Sequence, residues 1–160
     1  MNLTYISWIV VGSSLLLFLL LRIRTFFVFV SGVWFEQKQG EAPTAIVLSQ
    51  VGPYVWGRSE VKGGVLRYSG WFDGRKLKLR RKDEGQAYLV GLGFPKEVVG
   101  VLQGSEMARY VFRYDMQKEL LVGEHFRQKI DISRTRPPKV TQRAYLPAIE
   151  KVWTRQRKGL

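Results

Sequence analysis

The pattern of apolar and polar positions divides the chain into an uncharged opening stretch and a longer remainder of mixed character. Residues 1–21 carry no charged side chain, and residues 6–21 are almost all apolar. A helix of that length reaches about 30 Å, the thickness of the hydrocarbon core of a bilayer. Arg22 and Arg24 follow directly. The pattern therefore predicts a transmembrane anchor over residues 1–24.

The residues around the predicted anchor indicate its orientation. Trp8 falls where an outer aromatic belt would lie, and Leu15 and Leu19 lie within the apolar run. Positive side chains occur only on the C-terminal flank, so the positive-inside tendency places the N-terminus outside and the following domain in the cytoplasm. A cleaved signal peptide is the alternative, but it needs a basic segment before the apolar run. The sequence predicts a single-pass membrane protein.

A second apolar stretch, residues 25–35, is too short to span a bilayer again. Its aromatic residues could lie at headgroup level, or a continuing helix could pack against a neighbouring protein; both alternatives stay open. An apolar surface of this size is rarely left in water, so the stretch requires lipid or a partner. The candidate interface residues are Phe26, Phe27, Trp34 and Phe35. These patterns divide the chain into three regions: an anchor (1–24), an apolar juxtamembrane segment with a linker (25–43) and a basic β-rich domain (44–160).

After the linker, short runs of β-forming residues alternate with turn signals. A short helix is predicted over residues 95–102, with proline in its first turn. The tail from Leu146 fits a second helix, because Ile149, Val152 and Trp153 would share one face. The predicted fold class is a single N-terminal transmembrane helix followed by a mostly antiparallel β (α+β) domain with a C-terminal helix. Besides the hairpin described next, the predicted strands are 44–51, 54–58, 87–92, 108–114, 118–122 and 126–132.

The clearest local signal is a hairpin around Asp73 and Gly74, a dipeptide that favours a two-residue turn. Such a turn would pair Phe72 with Arg75 and direct alternate residues of both strands toward the core. Like charges would then face each other across the strands, which is unfavourable. This face is a candidate anion-binding surface, and the alternative is a solvated face with long side chains in water. Its residues are Arg67, Trp71, Lys76, Lys78 and Arg80.

The charge balance adds a requirement for an acidic partner. The chain has 26 Lys and Arg against 13 Asp and Glu, a net charge of +13. Anionic lipid headgroups, nucleic acid or an acidic protein face could balance this charge. Nucleic acid is disfavoured because only Trp71 clearly interleaves with the basic groups. Further basic residues expected to contact an anionic surface are Arg134, Arg136, Arg155, Arg157 and Lys158.

No motif in the sequence points to catalysis. The chain has no cysteine, which excludes disulfides and thiolate catalysis, and a single histidine, His125, which excludes two-histidine metal sites. We interpret His125 as a strand-edge residue and not as a catalytic base. Gly91 and Gly93 are not followed by the third glycine of a dinucleotide-binding turn, because Lys96 stands at that position. The sequence predicts no enzyme, no cofactor and no metal.

These features favour a non-catalytic accessory subunit of a larger membrane protein complex. One helix would anchor it among other membrane-protein subunits, and its basic domain would dock on an acidic surface. The alternative is a membrane-tethered module that binds anionic lipid headgroups or another ligand. A β domain closed by a terminal helix is similar in outline to pleckstrin-homology-like architecture, which implies binding of that kind. A tethered nucleic-acid binder is the third, less favoured, interpretation.

Overall fold

Apolar and polar residues alternate through most of the chain after position 28, as β-strands require. The computed structural model describes residues 13, 28–36, 42–133 and 135–156. Between residues 28 and 156, its described part forms nine strands and two short helices. The helices are α1 (Gln86–Gly91) and α2 (Lys96–Leu102). The strands are β1 (Gly32–Glu36), β2 (Thr44–Val51), β3 (Tyr54–Val61), β4 (Gly64–Phe72), β5 (Lys76–Glu84), β6 (Glu106–Asp115), β7 (Leu120–Ile132), β8 (Val140–Tyr145) and β9 (Ile149–Arg155).

Eight of these strands close into one antiparallel sheet. Strands β1 to β7 pair in chain order, and β9 lies between β7 and β1 and so completes the ring. Every strand in the ring therefore pairs with a neighbour on each side along at least part of its length. Strand β7 is long enough to leave the ring, and its second half pairs with β8.

Large apolar side chains fill the interior of the closed sheet. Trp153 lies near the centre, with ring centroids 5.2 Å from Tyr110 and 4.6 Å from Phe112. Trp34 and Phe72 are also fully buried. Burial of each such side chain contributes about 1.5–3 kcal/mol, so this cluster is the main source of stability.

The two helices cover a second, smaller core. Strand β5 ends at Glu84, and Gly85 allows the chain to turn into α1 because its φ of 114° is rarely adopted by other residues. Leu89 from α1 and Val99 from α2 are buried together with Met107 from β6. The helices therefore pack beside the closed sheet and against the extension of β7.

The segment before β1 enters the interior at one end of the closed sheet. The backbone N–H of Val30 donates to Gln50 Oε1 at 2.8 Å, and Gln50 Nε2 donates to the carbonyl oxygen of Val28 at 3.2 Å. The indole N–H of Trp34 donates to the carbonyl oxygen of Val30 at 2.8 Å. These hydrogen bonds hold Val28 and Val30 in the core.

The predicted fold class is wrong. Residues 149–155 form strand β9 and not a C-terminal helix, because they pair with β1 on one side and β7 on the other. This pairing buries Trp153 and overrides a spacing of apolar residues that also fits a helix. Without a closing helix, the outline likeness to pleckstrin-homology-like architecture is lost as well.

The predicted membrane topology is also corrected. No helix in the described part of the chain has the length and apolar character needed to cross a bilayer. This finding contradicts the single-pass topology and the cytoplasmic location deduced from it. The stretch assigned to the anchor, residues 1–24, lies outside the described residues except for Ser13.

Four smaller differences concern individual elements. Residues 87–91, predicted as part of a strand over 87–92, belong to helix α1, since a short apolar run does not distinguish a buried strand from a buried helix. The two strands predicted at 118–122 and 126–132 are one continuous strand, β7. Strand β8 was not predicted. Strand β1 lies inside the range 25–43, which was assigned to the juxtamembrane segment and linker, and it pairs with β2.

Candidate functional site

The hairpin between β4 and β5 keeps the predicted faces but has a different register. Phe72 pairs with Leu77 and not with Arg75. Asp73 explains the wider turn, because its Oδ1 accepts hydrogen bonds from the backbone N–H of Arg75 at 2.9 Å and of Lys76 at 2.7 Å. Side chains alternate with a period of two, so a shift of two residues leaves every side chain on its predicted face.

An apolar patch crosses β2, β3 and β4 on the outer face of the closed sheet. Tyr54, Trp56 and Trp71 are 61%, 47% and 39% exposed. Tyr54 pairs with Trp71 across the strands, and their rings meet edge to face with centroids 4.8 Å apart. Exposed Val51, opposite Tyr54, and exposed Val47 extend the patch onto β2. We call these five residues the aromatic patch; contiguous apolar surface of this kind commonly marks an interaction site.

Basic residues border the aromatic patch on strands β3 to β6. Arg67 lies opposite both Arg58 and Lys82, and Lys76 lies opposite Arg113. Like charges directly across strands are destabilising, so this arrangement costs stability unless a partner neutralises it. Within the described part of the chain, five basic residues of this face form no ion pair. These five, the cationic rim, are Arg58, Lys76, Lys78, Lys82 and Arg113.

The other basic residues of the face are partly neutralised. Arg67 Nε lies 2.7 Å from Glu84 Oε2, and Arg80 Nε lies 3.7 Å from Glu106 Oε2. Arg109 also pairs with Glu106. A shallow groove of about 580 Å³ is lined by Tyr54 and Trp71 together with Lys78, Arg80 and Arg109. The face thus offers an apolar surface beside excess positive charge.

Among the remaining predicted contact residues, those that the structure describes do not join this face. Trp34 is fully buried in the core, which leaves it no surface for a partner, and Phe35 is half-buried in β1. Arg155 is held by Glu119, with Nη1 and Oε1 3.3 Å apart, and Arg136 is exposed in the loop before β8. Several predicted residues lie outside the described ranges: Trp8, Leu15, Leu19, Arg22, Arg24, Phe26, Phe27, Arg134, Arg157 and Lys158.

Sequence reasoning missed Tyr54 and Trp56 as members of the face. The available signal was alternation within β3, where Tyr54, Trp56 and Arg58 share one side while Val55 is buried on the other. An arginine on the same side as two aromatic residues indicates that the side faces water.

A polar cluster occupies the interior at the end of the sheet away from Val28. Arg81 forms two hydrogen bonds to fully buried Asp83, Nε to Oδ1 at 2.8 Å and Nη2 to Oδ2 at 2.9 Å. Arg81 Nη1 also donates to the hydroxyl oxygen of Tyr110 at 3.2 Å. His125 lies in the middle of β7 with its ring stacked on Tyr110 at a centroid distance of 4.5 Å. The predicted strand-edge position of His125 is therefore wrong.

The environment of His125 keeps its ring neutral. Burial and the nearby cation of Arg81, helped by Lys151 and Arg127, lower the pKa of His125 from 6.5 to about 4, against the opposing effect of Glu36. Between these two pH values the unfolded chain binds a proton that the folded chain does not, so folding stability falls as the pH falls.

We expect the His125→Phe variant to lose less stability in acid than the wild type. When the pH is lowered from about 7 to about 5, the unfolding free energy of the wild type should fall by about 2 kcal/mol more than that of the variant. Phenylalanine retains the stacking on Tyr110 but does not titrate. Urea unfolding of both proteins at each pH measures the effect, and an equal loss in the two proteins would contradict the assignment.

Metal-binding side chains do not cluster in the described part of the chain. In residues 28–36, 42–133 and 135–156, no group of three or more His, Asp or Glu side chains is placed to hold a metal ion. The absence of enzymatic activity, of a cofactor and of a metal stays a prediction. No protein-family model matches the chain, and comparisons with curated proteins and with solved structures also find no match.

Proposed function

We propose that the chain is a non-catalytic subunit of a larger protein assembly, and that the aromatic patch and cationic rim dock on an acidic surface of a partner protein. The observation that carries this proposal is the exposure of Tyr54, Trp56 and Trp71 side by side among basic residues. Tyrosine, tryptophan and arginine are the residue types most enriched at the energetic centres of protein interfaces.

The composition of the patch favours a protein partner. Val47 and Val51 enlarge the apolar centre of the face, whereas valine offers neither a stacking surface for a base nor a charge for a phosphate. An apolar centre with a polar rim is the usual anatomy of a protein–protein interface. The net charge of +13 would also steer an acidic partner toward the chain.

Site-specific crosslinking tests this proposal. The chain contains no cysteine, so a single introduced cysteine can carry a photoreactive group. Ser69 lies between Trp56 and Arg80 on neighbouring strands, and exposed Gln117 in the β6–β7 turn provides a control position. We expect Ser69→Cys, but not Gln117→Cys, to crosslink to one acidic protein in extracts of the native cells.

A binding measurement with the purified partner completes the test. The double variant Trp56→Ala/Trp71→Ala should weaken binding at least about tenfold. Val101→Ala, at an exposed position on helix α2, provides a matched control for loss of an apolar side chain. Wild-type affinity in the double variant, or equal crosslinking from the two cysteine positions, would refute the proposed docking face. Binding to vesicles of anionic lipid in preference to the protein would also refute it.

Single-stranded nucleic acid is a second candidate partner, because three exposed aromatic residues and not Trp71 alone interleave with cations. Bases stack on aromatic side chains while basic residues contact the phosphates. An oligothymidylate should then quench tryptophan fluorescence with an affinity that falls steeply with salt. Absence of quenching, or quenching that persists in Trp56→Ala/Trp71→Ala, would exclude this candidate.

A further inference from the structure

A separate pocket opens at the end of the closed sheet that contains the polar cluster. Its volume is about 350 Å³, within the range of small-molecule sites. Leu66 from β4 and Tyr88 from α1 form part of an apolar wall, while His125 and Arg127 from β7 contribute polar groups. The pocket shares no residue with the aromatic patch or the cationic rim, so it is independent of the docking face.

His125 is the unusual group in this pocket. The residue is only 5% exposed, and neither ring nitrogen has a hydrogen-bond partner among the described residues. A neutral imidazole has one N–H donor and one acceptor nitrogen, and both are normally satisfied when buried. Leaving both without a partner is unfavourable, so the arrangement indicates a group that binds a molecule from outside the chain.

The charges around the pocket define what it can hold. Arg81 is paired with Asp83, and Lys151 Nζ lies 2.8 Å from Glu36 Oε1. Arg127, which lines the pocket and is exposed, forms no ion pair within the described ranges. The pocket therefore has one uncompensated positive charge, which matches a ligand with one negative charge.

We propose that this pocket binds a small organic acid, with its carboxylate held by Arg127 and by the ring N–H of His125 and its apolar body against Leu66 and Tyr88. The volume excludes a folded macromolecule, and the apolar wall disfavours an inorganic anion. A bound carboxylate also favours the protonated form of the imidazole, so binding should raise the pKa of His125.

The single histidine of the chain gives a direct measurement. In ¹⁵N-labelled full-length protein, the two imidazole nitrogen signals belong to His125 alone. Millimolar benzoate, which joins one carboxylate to an apolar ring, should shift these signals and move their titration to higher pH. Benzyl alcohol has the ring without the charge, and inorganic phosphate has charge without the ring. We expect neither of them to produce the change.

Two variants make the test specific. Arg127→Gln removes the unpaired charge at an exposed position and should weaken benzoate binding at least about tenfold. Arg143→Gln, the same replacement at an exposed position on β8 outside the pocket, should bind benzoate like the wild type. Unchanged His125 signals with benzoate in the folded wild type would overturn the proposal. Equal binding by the two variants, or an equal response to phosphate, would overturn it as well.

Discussion

Replacement of Gly70 by alanine should lower the free energy of unfolding by at least about 3 kcal/mol, at the upper end of what overpacking costs. The added Cβ would lie 1.8 Å from the carbonyl oxygen of Lys78. That oxygen belongs to the backbone of the neighbouring strand, so no side-chain rotation relieves the contact. Strands β4 and β5 would have to separate where Gly70 pairs with Leu79. Urea unfolding followed by tryptophan fluorescence measures the loss.

Gly100→Ala is the matched control. A Cβ at Gly100, within helix α2, would meet no atom within 4 Å. Alanine is favoured over glycine in a helix, so this variant should be as stable as the wild type or more stable by about 0.5–1 kcal/mol. If Gly70→Ala also unfolded like the wild type, the close approach of the two strands would be refuted.

Elements with strong local signals were predicted well from the sequence. The strand over residues 44–51 has its predicted boundaries, because β-forming residues run directly into the Gly-Pro turn that follows. The helix over residues 95–102 is present, one residue shorter, because proline is well suited to the start of a helix. Both elements depend on residues close in sequence, which periodicity and turn chemistry describe directly.

The closure of the sheet was not predictable by the same means. The apolar residues Ile149, Val152 and Trp153 have a spacing that fits one face of a helix. The conformation of this segment depends on β1, which lies more than a hundred residues earlier in the chain. Glu36 of β1 pairs with Trp153. Pairing at such separation carries no local signal, so the closing strand was assigned to a helix and β1 to the apolar juxtamembrane segment.

The candidate site was predicted in part, for a related reason. The Asp-Gly turn placed Trp71 and Lys78 on one face despite the wrong register, since a shift of two residues preserves faces. Tyr54 and Trp56 were assigned to no face, although Arg58 on the same side of β3 indicates that this side faces water. The burial of Arg81 and Asp83 as a pair depends on the closed sheet, since charged residues are rarely buried unless they are paired.

Replacement of Asp83 by alanine should cost about 3–5 kcal/mol, the usual effect of removing one partner from a buried ion pair. Asp83 is fully buried, and only 16% of the side chain of Arg81 is exposed. Without the carboxylate, Arg81 would keep its charge in the interior, where the hydroxyl group of Tyr110 is its remaining hydrogen-bond partner in the described part of the chain. Urea unfolding at neutral pH measures this loss.

Glu84→Ala separates the effect of burial from that of charge. Glu84 is the next residue of β5 and also pairs with an arginine, Arg67, at 2.7 Å, but 63% of the Arg67 side chain is exposed. Solvent screens such a pair, so this variant should lose less than about 1 kcal/mol. The double variant Arg81→Met/Asp83→Leu, which removes both charges, should regain much of the stability lost in Asp83→Ala. Similar losses in Asp83→Ala and Glu84→Ala would mean that water reaches Arg81, and the interior assigned to the polar cluster would be wrong.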